Sequence, residues 1–105
     1  MLYSFQGAPD GALPFAPLTL SGNALYVTTE YGGSGGRACV GHGVVGCGTI
    51  FTIETSGKLH VLYAFKGNGD GEYPWSALVL GKNALYGSTL AGGVKGNGTL
   101  FAIAP

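Results

Sequence analysis

Asp10 and Asp70 stand in the segments "APDG" and "NGDG", each directly before a glycine. A carboxylate in such a loop has two uses. It presents charge to a cation or a sugar hydroxyl, or it caps the turn with its own side chain while the glycine takes a left-handed conformation. One acidic residue per loop falls short of the roughly six to eight oxygens that Ca²⁺ prefers, so a Ca²⁺ site would need several loops gathered around a symmetric assembly. Cys39 and Cys47 frame "CVGHGVVGC" with His42 between them. As metal ligands these three are one short of a tetrahedral zinc site; in an oxidising compartment the cysteines would close the loop as a disulfide. Phe15 and Trp75 each follow a proline, "PF" and "PW". Such rings stack on a sugar or pack between sheets. Tyr31 joins them as a candidate ligand contact.

Catalysis finds less support. Acyl transfer needs a nucleophile beside a base and an orienting acid, and the chain has two histidines and no G-x-S-x-G elbow. The carboxylate pair of a glycosidase would have to come from Asp10, Asp70, Glu30, Glu54 and Glu72, most of them in different repeat units. No catalytic residue is assigned.

These residues recur because the chain repeats itself. With an offset of 60, 16 of the 32 positions from Leu2 to Gly33 are identical to their partners from Leu62 to Gly93, among them Tyr3/Tyr63, Asp10/Asp70, Pro14/Pro74 and Tyr26/Tyr86. After the Gly-Gly pair the offset falls to 50, and "GTIFTI" matches "GTLFAI"; the first unit therefore carries ten extra residues, around the cysteines. A period near 50 in a chain rich in Tyr, Phe, Val, Ile and Thr points to a propeller or a similar array. The 21 glycines are spaced irregularly, as tight turns rather than collagen would place them.

The strands expected in the first unit are 16–20, 24–29, 49–54 and 58–65, joined by short turns at "SGN" and "TSG". Along the last of them, Leu59, Val61, Tyr63 and Phe65 are expected on one face. Four antiparallel strands and a loop make a propeller blade. The expected fold is thus all-β, with two four-stranded antiparallel blades per chain: one about 14–65, the other about 74–105 and completed by strand 2–5, from the same or a neighbouring chain. Alternate connections share a face, so the Asp-Gly loops and the Gly-rich loops 30–48 and 90–98 should lie together, opposite the hairpins.

The segments "LYSFQGAPDGALPFAPLTL", "NALYVTTEYGG" and "GCGTIFTIETSG" resemble the GloVer-type tandem repeats of bacterial extracellular and surface-anchored proteins, and the strand order is similar to that of NHL-like propellers. The likeness covers nearly the whole chain twice; Val27 stands where the pattern has glycine. It implies an extracellular or cell-surface repeat architecture, which favours the disulfide, and it implies no established catalytic residues; no cofactor is expected beyond a possible Ca²⁺.

Composition excludes other classes. Five basic residues balance five acidic ones, which leaves no basic footprint for nucleic acid and none for a polybasic membrane helix. No apolar run is long enough to span a bilayer as a helix, and the opening "MLYSFQGAPDG" has neither the charged nor the apolar region of a secretion signal. The reading is a binding or scaffold module, lectin-like if it takes a carbohydrate or small molecule. The alternative is a cation-dependent hydrolase of the lactonase-propeller kind using Asp10 and Asp70. Two blades cannot close a ring, so homo-oligomerisation is expected, first as a trimer of six blades and next as a tetramer of eight.

Overall fold

Gly22 sets the first hairpin. It takes φ +61° between Ser21 and Ala24, the place a type II′ turn reserves for glycine, and joins β1 (Thr19–Ser21) to β2 (Ala24–Thr29). The chain then makes a short pair, β3 (Val40–Gly41) with β4 (Val44–Val45), within the extra residues of the first unit. It returns as β5 (Thr49–Glu54) and turns at Thr55–Gly57 into β6 (Leu59–Ala64). The computed structural model describes residues 1–7, 10–14, 16–33, 39–41, 44–67 and 69–104, and among these there is no helix.

The first sheet is antiparallel throughout, in the order β1-β2-β5-β6. The second is built from β7 (Glu72–Pro74), β8 (Val79–Leu80), β9 (Leu85–Ala91) and β10 (Thr99–Ile103). Here β10 lines one edge of β9, while β8 and β7 share the other, pairing with Leu85–Tyr86 and with Thr89–Ala91. The first sheet repeats even this detail. Ala12 bridges Tyr31 as Glu72 bridges Ala91, sixty residues on. The chain is therefore all-β with two four-stranded antiparallel sheets.

Period-two alternation sorts the side chains of the first sheet onto two faces. Tyr26 and Ile50 look toward the second sheet, where Ile50 is buried with Phe65, Leu78 and Leu85 and with the half-cysteines 39 and 47. Each aliphatic side chain buried there contributes about 2 kcal/mol. Val27, Phe51 and Ile53 look the other way, into a second cluster completed by Tyr3 and Phe5. Residues 1–6 form no strand. Their rings stack edge-on instead: Tyr3 on Phe5 at 5.1 Å, and Phe5 on Phe51 at 4.9 Å. Tyr63, Phe65 and Phe101 repeat this chain of contacts at 5.1 and 5.5 Å.

Two expectations need correction. The first strand begins at Thr19, later than residue 16. The alternation expected along 58–65 also breaks. Phe51 pairs with Val61 but Ile50 pairs with Tyr63, so Leu62 is an extra residue in a bulge. Leu59 consequently packs with Phe51, while Tyr63 and Phe65 pack with Ile50 on the opposite side.

Candidate functional site

The Asp-Gly loops and the Gly-rich loops do meet on one face. Ala12 exchanges backbone hydrogen bonds with Tyr31 at 2.8 and 3.2 Å, Gly33 N donates to Gly7 O at 2.9 Å, and Gly48 N donates to Gly32 O at 3.0 Å. The hairpins gather at the other end, where Thr55 N donates to Asn23 O at 3.1 Å.

Within the loops, each candidate aspartate reaches back toward the aromatic segment before it. Tyr3 Oη donates to Asp10 Oδ2, and Gln6 N donates to Oδ1 at 3.1 Å. In the second unit Tyr63 Oη and Lys66 N (3.0 Å) donate to Asp70 Oδ2, and Gly67 N donates to Oδ1 at 3.0 Å. A carboxylate offers about four acceptor positions, and at Asp70 three are taken. Burial works to raise the Asp70 carboxyl, but the hydrogen bonds from Tyr63, Lys66 and Gly67 outweigh it and hold the group below the usual aspartate range. The same bond, with help from burial, pushes Tyr63 up to about 12, and Tyr3 is raised chiefly by its bond to Asp10.

Under each aspartate lies a pair of threonines. The hydroxyls of Thr29 and Thr49 are 2.7 Å apart, Thr49 N donates to Thr29 Oγ1 at 3.0 Å, and Thr49 Oγ1 donates to Asp10 O at 3.2 Å. Thr89 and Thr99 repeat the first two distances as 2.8 and 3.0 Å. Gly11 sits on this pair: a Cβ there would lie 2.4 Å from Thr29 Oγ1, and its φ of +120° is a conformation side chains rarely adopt. The tyrosines and threonines escaped the sequence reading as functional partners, although their recurrence at matching positions was the signal.

Two further groups occupy the junction of the sheets. Tyr31 packs against Tyr73 with ring centroids 4.8 Å apart. Burial raises the Tyr73 phenol, and the neighbouring Tyr31, Glu72 and Glu30 raise it further. Tyr73 and its counterpart Leu13 both sit at φ 58°, a left-handed conformation that costs a residue with a side chain about 1–2 kcal/mol. Trp75, two residues on, is 43% exposed; Phe15 lies outside the described residues. Beside Tyr73, Cys39 and Cys47 are joined in a disulfide with Cα atoms 5.0 Å apart. Glu72 completes a group of potential metal ligands with the two sulfurs, all within 4.8 Å. The disulfide consumes the thiolates that a metal would need; His42 lies outside the described residues.

The sequence candidates thus divide. Tyr31 is brought to the junction with Tyr73, Glu72 and Glu30. Asp70, with Tyr63, Phe65 and Phe101, lines an apolar cleft of about 310 Å³ that also touches Ile50 and Ile103. Asp10 is turned inward at 6% exposure. Among the described residues, neither aspartate falls in a group of three or more metal-ligating side chains. No helix among them is long and apolar enough to cross a membrane. No family model matches the chain, and neither the curated proteins nor the solved structures include a match to it.

Proposed function

We propose that this chain is a non-catalytic binding or scaffold module of the extracellular, GloVer-like repeat kind, whose two sheets act as blades of a propeller closed by homo-oligomerisation. Three chains would give six blades and four would give eight. One observation carries the non-catalytic part. The polar side chains that recur between units are spent on one another and on the backbone: Tyr3 on Asp10, Tyr63 on Asp70, and the threonines in pairs. A disulfide within the fold suits an oxidising, extracellular location.

The ligand surface in this reading is the loop face at the junction of the sheets. Tyr31 and Tyr73 offer an aromatic wall, Glu30 and Glu72 offer acceptors for hydroxyls, and the cleft beside Asp70 is near the small end of ligand-pocket size. That composition fits a carbohydrate or another small hydroxylated molecule. A glycan array followed by calorimetry tests it. Binding weakened at least tenfold by Tyr31→Ala and by Tyr73→Ala is the expected result. Hydrolysis of lactones or esters that a chelator abolishes would overturn the non-catalytic reading in favour of a cation-dependent hydrolase.

A further inference from the structure

Successive units place the same residue types on corresponding faces, yet with opposite exposure. Ile50 on β5 is 1% exposed and its counterpart on β10, Leu100, is 90% exposed. Leu78, which receives Ile50, is 3% exposed, and its counterpart Leu18 is 61% exposed. The contact between the two sheets is thus made once within the chain, and each half of it is presented a second time unpaired. On the first sheet the unpaired half is an apolar groove of about 420 Å³ whose walls include Phe5, Leu18, Leu25, Val27, Phe51 and Ile53. On the second sheet it is the face bearing Tyr86 and Leu100, both exposed.

We infer that the occupant of this groove is a second copy of the chain, docked head to tail so that Leu100 of one copy enters the Phe5–Leu18–Leu25 groove of the next. The inference rests on the ring reading above and names its seam. Its warrant is continuity with the contact inside the chain: Phe5, Leu18 and Leu25 are the counterparts of Phe65, Leu78 and Leu85, the residues that enclose Ile50. The same correspondence gives a backbone register. Within the first sheet β6 lies beside β5, with Thr49 opposite Ala64 and Ile50 opposite Tyr63. Carried over by the repeat, residues 2–5 of one copy line the outer edge of β10 in another, with Thr99 opposite Ser4 and Leu100 opposite Tyr3. Tyr3 and Phe5 already rest on their own first sheet. The segment therefore stays in place and its edge gains a partner.

One polar contact is not reproduced. Thr19 Oγ1 donates to Leu78 O across the internal junction, and Val79 replaces Thr19 at the seam. The seam is more apolar than its template. Such a contact is heterologous, with different surfaces on the two copies, and it propagates until the rotation closes a ring.

The experiment uses that asymmetry. Leu100 and Leu18 are exposed in the single chain, so Leu100→Glu and Leu18→Glu should fold, as circular dichroism and resistance of the disulfide to reductant would verify. By light scattering the wild type is expected at a multiple of 10.6 kDa and each variant at the single-chain mass. An equal mixture of the two should form a dimer and no larger species, because the L18E chain keeps its Leu100 face and the L100E chain keeps its groove. A variant that stays fully assembled would overturn the seam while leaving the ring reading intact. So would assembly lost in L100E but kept in L18E, which marks a symmetric contact through the Leu100 face. A wild type that is a folded single chain at high micromolar concentration would overturn seam and ring together, and would leave a tethered repeat or an unrelated apolar segment as the occupant. The binding reading is scored separately, by the Tyr31 and Tyr73 variants.

Discussion

Tyr63 and Asp70 are joined side chain to side chain across the loop that links the two sheets, and Tyr3 and Asp10 are joined in the same way sixty residues earlier. The bond needs the phenol protonated and the carboxyl ionised. Tyr63 is raised to about 12 in the folded chain from an ordinary 10.0, so its contribution is complete below pH 10 and is lost as the pH rises from 10 to about 12. Asp70 is lowered, so its contribution is present above the ordinary aspartate value and is lost as the pH falls through its folded value. Urea midpoints measured from pH 8 to 12 should decline for the wild type and decline less for Tyr63→Phe. Parallel curves would remove the tyrosine from the account.

Asp70→Asn tests the carboxylate more directly. The amide has one acceptor oxygen, while Lys66 N and Gly67 N donate to different oxygens of Asp70. Either orientation of an asparagine sets an N–H donor against a backbone donor. A loss of about 1–2 kcal/mol is expected by chemical denaturation, with the loop beside β7 exchanging its amide hydrogens faster. A neutral effect would mean that the loop holds its shape through Gly71 and the backbone alone.

Gly11→Ala should be among the most damaging small substitutions. The added methyl would overlap Thr29, which is itself fixed by Thr49, so neither neighbour can yield without leaving a buried hydroxyl unpaired. A loss of about 3 kcal/mol or more is expected. Thr29→Val should cost about 1–3 kcal/mol, because it strands the buried Thr49 N–H. In the double variant the losses should not add, since the smaller polar network has already been broken. Thermal melts of the two single variants and the double variant measure this.

Repetition made the architecture legible. The identities at Leu25–Tyr26 and Leu85–Tyr86, and the matched "GTIFTI" and "GTLFAI", located β2, β5, β9 and β10 with small errors at their ends. Hairpin chemistry located the turn at Gly22. The bulge at Leu62 was hidden because the run Val61-Leu62-Tyr63 is apolar throughout, and an apolar run does not show on which face each side chain lies. The aspartates were visible as loop residues, but their partners were not. A carboxylate that reaches back to Tyr3 or Tyr63 leaves no local signature, since the loop must fold before the two side chains approach. The exposure of Leu100 was equally silent, because the matched segments "GTIFTI" and "GTLFAI" give it the same place in its strand as Ile50.

The disulfide closes the insertion on itself at the junction of the sheets. Cys39 and Cys47 are buried with Ile50, Phe65 and Leu85, although Cys39 belongs to the extra residues of the first unit and Cys47 stands where the second unit has Asn97. Cys47 O accepts a hydrogen bond from Tyr73 N at 2.8 Å, and a Cβ on Gly67 would lie 2.9 Å from its sulfur. The disulfide therefore fixes the shape of the insertion where it packs against the loop that opens the second sheet. In the chain-entropy account, closing a loop with a sequence separation of 8 stabilises the fold by about 2.5 kcal/mol. Cys39→Ser with Cys47→Ser should lose at least that much, because two hydroxyls would then lie in an apolar cluster. Cys39→Ala with Cys47→Ala removes the bond without that polar cost, and the difference between the pairs isolates it. In both variants the Tyr31–Tyr73 contact should loosen, read as faster exchange of the Tyr73 amide. Intact mass after alkylation without reductant checks the starting point: no thiol should react. Unchanged melting in the alanine pair would show that packing alone holds the junction.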